Sequence, residues 1–442
     1  MRWWFVVVLA ACGGDPVGGP DAAAVDAAAD TAPLDAGPDD APADATRPTK
    51  SCRGVAAVKG VWLADPKLCL ELYADNVPAA RQMAFAPNGD LFVVFNNGAI
   101  VVLFDHNQDG AIEPGERSVF ATQAGLTHGL ALDAKGGWVY ASNATTIFRW
   151  RYRTGDLVAA SAPEVVVKDM PPGGHYSRTL VFDPQGRLYV NVGSAGNVDT
   201  TPSDLATRAM VRRLVVPDPI PAGGVAYATL EVFASGMRNE VGLAFDAQGR
   251  MWGVENERDG LADLQLAGIT EDNPAEELNR LDGPGARFFG YPLCWSEFAF
   301  PDGGLGPGTQ WADDYFPMPK TDVWCRDVQN VHPPAGVMQG HWAPLGVTGY
   351  EGASLPWKGD LFVASHGSSQ RTIPIGRLIA RAHLVGDTIA SITPIVGKDD
   401  GSGQLAQGTW DARPVDLRQG PDGALYFSDD LGGRVFRLGY TP

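Results

Sequence analysis

Apolar positions in this chain alternate in short runs and do not recur at helical spacing, which argues for strands and against a βαβ arrangement. From residue 80 onward one phrase keeps returning. An apolar strand meets a Pro/Asp-x-Gly turn, and a second strand carrying an aromatic follows. It occupies residues 83–92, 130–140, 180–189, 243–252, 355–362 and 419–426, turned by Gly89, Gly136, Gly186, Gly249, Gly359 and Gly423. Turn glycines between alternating apolar runs mark β-hairpins. Spacings of roughly 50 to 65 residues suit four-stranded blades. Six copies predict an all-β, six-bladed β-propeller. A two-sheet sandwich needs fewer such hairpins.

The gap between Gly249 and Gly359 is twice the usual spacing. Its Pro/Gly/Trp-rich stretch, about 264–340, reads as an insertion. The acidic run from Glu271 to Glu277 within it reads as a solvated face. Residues 51–442 form the propeller domain. Ahead of them, residues 13–50 are mostly Ala, Asp, Pro and Gly and hold eight aspartates against Arg47 and Lys50. Such a segment cannot bury enough surface to offset its ordering entropy, so residues 12–50 read as a disordered tether.

Residues 1–11 carry Arg2, an apolar run over 3–9 and small residues before Cys12. This resembles a lipoprotein signal peptide. It predicts export, with Cys12 acylated and the protein anchored to a bacterial cell-envelope membrane on the periplasmic side or the cell surface. The net charge of −18 argues against nucleic acid as a partner. After Cys12, the four remaining cysteines suggest two disulfides. Proximity favours Cys52–Cys69 and Cys294–Cys325, although three connectivities are possible. The chain has no C-x-x-C-H motif, so it carries no c-type haem of its own.

Two stretches carry chemistry. Residues 105–116 fit a twelve-residue calcium loop: Asp105, Asn107, Asp109, Glu113 and Glu116 at positions 1, 3, 5, 9 and 12, Gly110 at the sharp turn, and the Ala111 carbonyl at 7. Its flanks read as strands, so the ion would be structural. The second stretch is the pair of repeat entrances holding His175 and Arg178, then Arg238 and Asn239. In a propeller these gather at one mouth of the central channel. An imidazole there suits a general base, and Arg238 a fixed positive charge with a fork of donors.

Several linked phrases make a family resemblance concrete. Gly174-His175 runs through Leu180-Val181-Phe182, and Gly236-Met237-Arg238-Asn239 through Gly242-Leu243-Ala244-Phe245. Leu278-Asn279-Arg280, Gly290-Tyr291-Pro292-Leu293-Cys294-Trp295, Ala343-Pro344-Leu345-Gly346, Ser365-His366-Gly367 and Arg413-Pro414-Val415 complete the set. Together they resemble the glucose/sorbosone dehydrogenases, soluble quinoproteins that use pyrroloquinoline quinone. The resemblance implies oxidation of a sugar, aldehyde or polyol hydroxyl, with electrons passed to a separate acceptor.

The same resemblance makes His175 and Arg238 catalytic. It makes Arg238, Asn239, Arg413 and Arg371 cofactor-binding, and backbone carbonyls near Glu257 and Arg258 the ligands of a cofactor-side calcium. Ser194 stands where glucose-oxidising members carry an aspartate, which predicts a less firmly held His175 tautomer. Arg371 stands where they carry a lysine. Two other classes compete. One is a non-catalytic propeller binding a glycan or protein partner. The other is a calcium-dependent lactonase, which needs side-chain oxygens converging on a metal at the channel; outside the Asp105 loop the sequence shows no such set.

Overall fold

The computed structural model describes residues 53, 55–96, 98–133, 137–261, 270–301, 303–313, 320–368 and 370–441. Six antiparallel sheets surround a channel, as the hairpin phrases predict. The innermost strands are Ala80–Phe85, Leu126–Leu132, Leu180–Phe182, Glu240–Phe245, Pro344–Gly349 and Pro414–Gln419. Each recurring phrase falls on the hairpin, or its turn, between a first and a second strand. The amino-terminal strand Leu68–Ala74 closes the ring. It pairs antiparallel with Arg434–Tyr440, Cys69 facing Gly439, and so completes the sixth blade.

Small residues let the inner strands meet. A Cβ on Gly242 would lie 2.9 Å from the Gly346 backbone, so these two blades approach closely only with glycine. Polar side chains then satisfy the strand edges that would otherwise be orphaned. Gln82 donates to the Leu180 carbonyl at 2.8 Å and accepts from the Leu130 N–H at 2.8 Å. Val241, Leu345 and Val415 fill the space beside them. Between blades the core is aromatic, as where Phe92 meets Phe120 and Tyr152 edge to face.

The expected insertion over 264–340 is narrower than its span. Glu276–Arg280 and Gly336–Met338 are the third and fourth strands of the fourth blade, paired through Leu278 and Gly336. The excursion between them carries the hairpin of Cys294–Ser296 with Gln310–Ala312. The Cys294–Cys325 disulfide staples it, with Cα atoms 5.9 Å apart. The sequence Glu-Glu-Leu-Asn-Arg hid the strand because polar side chains fill its buried face. Cys69 is also disulfide-bonded. Cys52, the lipoprotein signal and nearly all of the tether lie outside the described residues.

Candidate active site

His175 is held from its Nδ1 side. That nitrogen lies 2.8 Å from Ser194 Oγ and 3.2 Å from the Ser194 carbonyl oxygen. A carbonyl only accepts, and Ser194 Oγ spends its own proton on the Gly196 carbonyl at 2.7 Å. Nδ1 therefore carries the proton, and Nε2 is left as the acceptor. The expectation that a serine would leave the tautomer loose is corrected by this relay. Asp199 shapes the loop beneath it by accepting from the Ala195 and Gly196 N–H groups at 2.9 Å. Gly193 lets the two elements converge, because a Cβ there would stand 2.6 Å from His175 Cβ and 2.7 Å from Asn239 Oδ1.

The strand entrance carrying His175 is clamped by two arginines. Buried Arg178 donates to the His175 carbonyl at 2.6 Å and to the Pro171 carbonyl at 2.7 Å. Arg208 donates to the Pro172 and Gly173 carbonyls. Burial, then the Arg238 charge, holds the His175 pKa well below its ordinary value, so the imidazole is neutral near pH 7.

Arg238 is buried beside it, and all five of its N–H groups are engaged. Nε donates to the Asn197 carbonyl at 3.1 Å, Nη1 to the Asn256 and Glu257 carbonyls at 3.3 and 3.0 Å, and Nη2 to Asn197 Oδ1 at 3.1 Å and Asp259 at 3.5 Å. It contributes a positive field first. A new acceptor must displace its longest contacts, those to Asn256 and Asp259. Asn239 is different: its Oδ1 is buried with no partner among the described residues.

A cleft of about 480 Å³ brings together His175, Arg238, Asn239, Glu257, Gln370 and Arg413. Its size and mixture of charges fit a small-molecule site. A second hollow of about 350 Å³ continues from His175 and Asn239 towards Arg81 and His128. Arg413 donates to the His366 and Gly367 carbonyls at 3.2 and 2.7 Å. Arg371 is outside the cleft lining, turned to Asp272 at 2.5 Å and the Glu271 carbonyl at 3.0 Å. Arg258 is doubly bonded to Asp313 at 2.9 Å, and the Glu257 carbonyl already takes the Arg238 bond.

Sequence reasoning missed three features. Arg81 Nε donates to His128 Nδ1 at 3.2 Å while its Nη1 meets Asp430 at 2.8 Å, and Asp430 also binds His366 Nε2 at 2.9 Å. Burial opposes the charge on Asp430, but His366 and Arg81 hold its carboxyl well below the usual range. Thr127-His128 opens its blade as Tyr176-Ser177-Arg178 opens the next, a parallel that the hairpin phrases begin too late to show.

The third feature is a set of five buried glutamates: Glu240, Glu255, Glu257, Glu276 and Glu277. The reading of the 271–277 run as a solvated face is therefore corrected at Glu276 and Glu277. Burial raises all five pKa values, Glu257 and Glu276 to about 8. Converging oxygens that the sequence did not reveal are present at the channel after all.

The far-face loop stands apart from all this. It joins Ala99–Leu103 to Arg117–Thr122, the third and fourth strands of its blade, and so emerges opposite the mouth. Asp105 Oδ2 accepts from the Gly110 N–H at 2.9 Å, Asn107 Oδ1 from Asp109 at 2.9 Å, and Asp109 Oδ1 from Ala111 at 3.0 Å. Glu116 folds back on the N–H groups of His106, Asn107 and Glu113. Asp105 Oδ1 is buried with no partner among the described residues.

The TrAA12-like family model matches residues 64–441. The chain belongs to the TrAA12-like family. A "Pyrroloquinoline quinone-dependent sugar dehydrogenase" of Hypocrea jecorina is 29% identical over 389 residues, 83% of this chain and 86% of that protein. A "Pyrroloquinoline quinone-dependent pyranose dehydrogenase" of Coprinopsis cinerea is 28% identical over 80% of this chain, but the match spans only 51% of that longer protein. Among solved structures, a Trichoderma reesei family AA12 enzyme superposes with a TM-score of 0.75 at 25% identity, covering 87% of this chain and 98% of that one. The holo pyranose dehydrogenase quinone domain of Coprinopsis cinerea gives 0.74 at 24%, covering 88% and 99%. For this TrAA12-like chain, these matches cover the whole ring of blades.

Proposed function

We propose that this TrAA12-like protein oxidises a hydroxyl of a sugar, aldehyde hydrate or polyol with pyrroloquinoline quinone, and passes the electrons to a separate acceptor. The observation that carries the reading is His175, pinned through Nδ1 with Nε2 available in a cleft flanked by Arg238 and Asn239. The names of the relatives support the same chemistry. The cleft fits the cofactor: a tricarboxylate quinone meets the guanidiniums of Arg238 and Arg413 and the amides of Asn239 and Gln370. When bound, it supplies an electrophilic carbonyl that accepts a hydride from the substrate carbon.

The chain's own part is proton handling and charge. Nε2 of His175 takes the hydroxyl proton, and Nδ1–H, bonded to Ser194, stabilises the imidazolium that forms. Arg238 favours negative charge developing in the cleft. We also assign calcium to the 105–116 loop. The amino-terminal reading places a lipid on Cys12 and the protein at a cell-envelope membrane, which mass spectrometry of the mature amino terminus would test.

The purified protein should be titrated with pyrroloquinoline quinone and calcium, then given aldoses and polyols with an artificial acceptor. Saturable binding followed by bleaching with one sugar supports the dehydrogenase. A folded protein that binds no quinone sinks it and leaves a recognition propeller.

A further inference from the structure

Under Arg238 the fourth blade assembles acids from three adjacent strands. Glu240 opens Glu240–Phe245, Glu255 ends Met251–Glu255, and Glu276 and Glu277 begin Glu276–Arg280. One oxygen each from Glu255, Glu257 and Glu277 lies within 4.8 Å of the others. Guanidiniums nearby are directed elsewhere: Arg238 reaches Asp259, Arg258 reaches Asp313 and Arg371 reaches Asp272. Carboxylates packed together away from water need either shared protons or a cation.

A second observation favours the cation. The amide of Asn279, itself fully buried, lies among these acids. Its Nδ2 is 3.3 Å from Glu240 Oε2, 3.2 Å from Glu255 Oε2 and 3.0 Å from Glu277 Oε2, so three acceptors share two hydrogens. Its Oδ1 meanwhile has no partner among the described residues. The two orientations of an amide are chosen by such bonding. The opposite one turns the orphaned oxygen inward and makes the centre a shell of oxygens alone. Gly253 makes room for it, because a Cβ there would collide with the Glu240 carboxylate.

We propose that Glu255, Glu257 and Glu277, with Glu240 and Asn279 Oδ1, hold a divalent cation of the calcium class, distinct from the 105–116 loop. Hard carboxylate and amide oxygens select calcium over zinc, and a dry, crowded site disfavours magnesium, which keeps several waters. The site does not depend on the quinone. Glu255 and Glu277 are absent from the cleft lining, and only Glu257 joins the two. The cation braces the floor of the cleft, because Glu255 accepts the Arg238 backbone N–H and the Asn256 N–H reaches the Asn239 carbonyl at 3.0 Å.

The test uses the full chain without quinone, with the surface loop silenced by Asp105→Ala and Asp109→Ala. Equilibrium dialysis against calcium and the melting temperature in calcium and in chelator are the two readouts. The expected result is a bound calcium that survives loop silencing, with a melting temperature several degrees higher in calcium. Adding Glu277→Gln weakens that calcium at least about tenfold and inverts the stability order. This variant should melt above its parent in chelator, where repulsion is relieved, and below it in calcium.

Asn279→Asp is the second arm. It raises calcium affinity at a cation site, and lowers the melting temperature equally with and without calcium where protons alone hold the cluster. The proposal is overturned by a loop-silenced chain that neither binds calcium nor responds to it. Unchanged calcium binding by Glu277→Gln, or an equal loss in Asn279→Asp, also overturns it.

Discussion

The loop at 105–116 and the glutamate cluster beneath Arg238 are both acid-rich and both gather oxygens, yet they are built in opposite ways. The loop is local: its donors sit within twelve consecutive residues, most of them exposed, and its backbone bonds already hold the turn. The cluster is assembled: its acids come from three strands and the turn after one of them, and it is buried. A local site can be lost while the blade keeps its packing. An assembled one shares its atoms with the core and with the reacting groups above it.

The largest effect should come from the chemistry above the cluster. His175→Ala removes the base, and turnover with an artificial acceptor should fall by about 10²–10⁴-fold while quinone still binds. Turnover within threefold of the parent would make the mouth a binding surface. Next in size is Gly253→Ala, which places a methyl against the Glu240 carboxylate. It should cost about 1–3 kcal/mol, read as a lower melting temperature. Gly115→Ala in the loop has open space around its Cβ and should cost little. Equal losses would erase the distinction between assembled and local sites.

How much was legible follows the same division. The six hairpins were visible because turn glycines and alternating apolar runs are short-range signals, and the calcium loop because its spacing is fixed. His175, Arg238 and Asn239 stood out as polar residues at strand entrances and do meet in one cleft. Glu276 and Glu277 misled, since an acidic run looks solvated unless the facing strands are known to bring Asn279, Ser296 and Gln310 against it. Ser194 misled for a related reason. Its hydroxyl orients a histidine only because Gly196 turns a carbonyl towards it, a feature of backbone geometry and not of residue type.

Ser194→Ala should therefore be milder than loss of the histidine. The Ser194 backbone carbonyl remains 3.2 Å from Nδ1 and keeps the tautomer, so kcat should fall by about tenfold. The pH profile sharpens this. Burial and Arg238 depress the folded-state pKa of His175, so Nε2 stays unprotonated as pH falls through 6.5. The acid limb of kcat/KM, a free-enzyme quantity, should accordingly lie below 6.5. A limb at or above 6.5 would mean that the base is some other group, or that His175 is solvated.

The smallest effect belongs to the loop, and its route runs through ring closure. Ile112 N–H donates to the Tyr73 carbonyl at 2.7 Å, and Ile112 bridges to Ala74, so the loop rests on the strand that completes the sixth blade. Arg53 adds a bond to the Gly110 carbonyl at 3.1 Å and an ion pair to Glu71 of that strand. Calcium in the loop would stiffen the latch and leave the mouth untouched. Asp109→Ala should lower stability by about 1 kcal/mol in calcium and by almost nothing in chelator, a difference set by ligand binding to the folded state alone. Amide exchange should quicken over Leu68–Ala74 and stay unchanged over Glu240–Phe245. Equal quickening in both strands would show that the far face and the mouth are coupled through the blades, and the two acidic regions would then have to be treated as one.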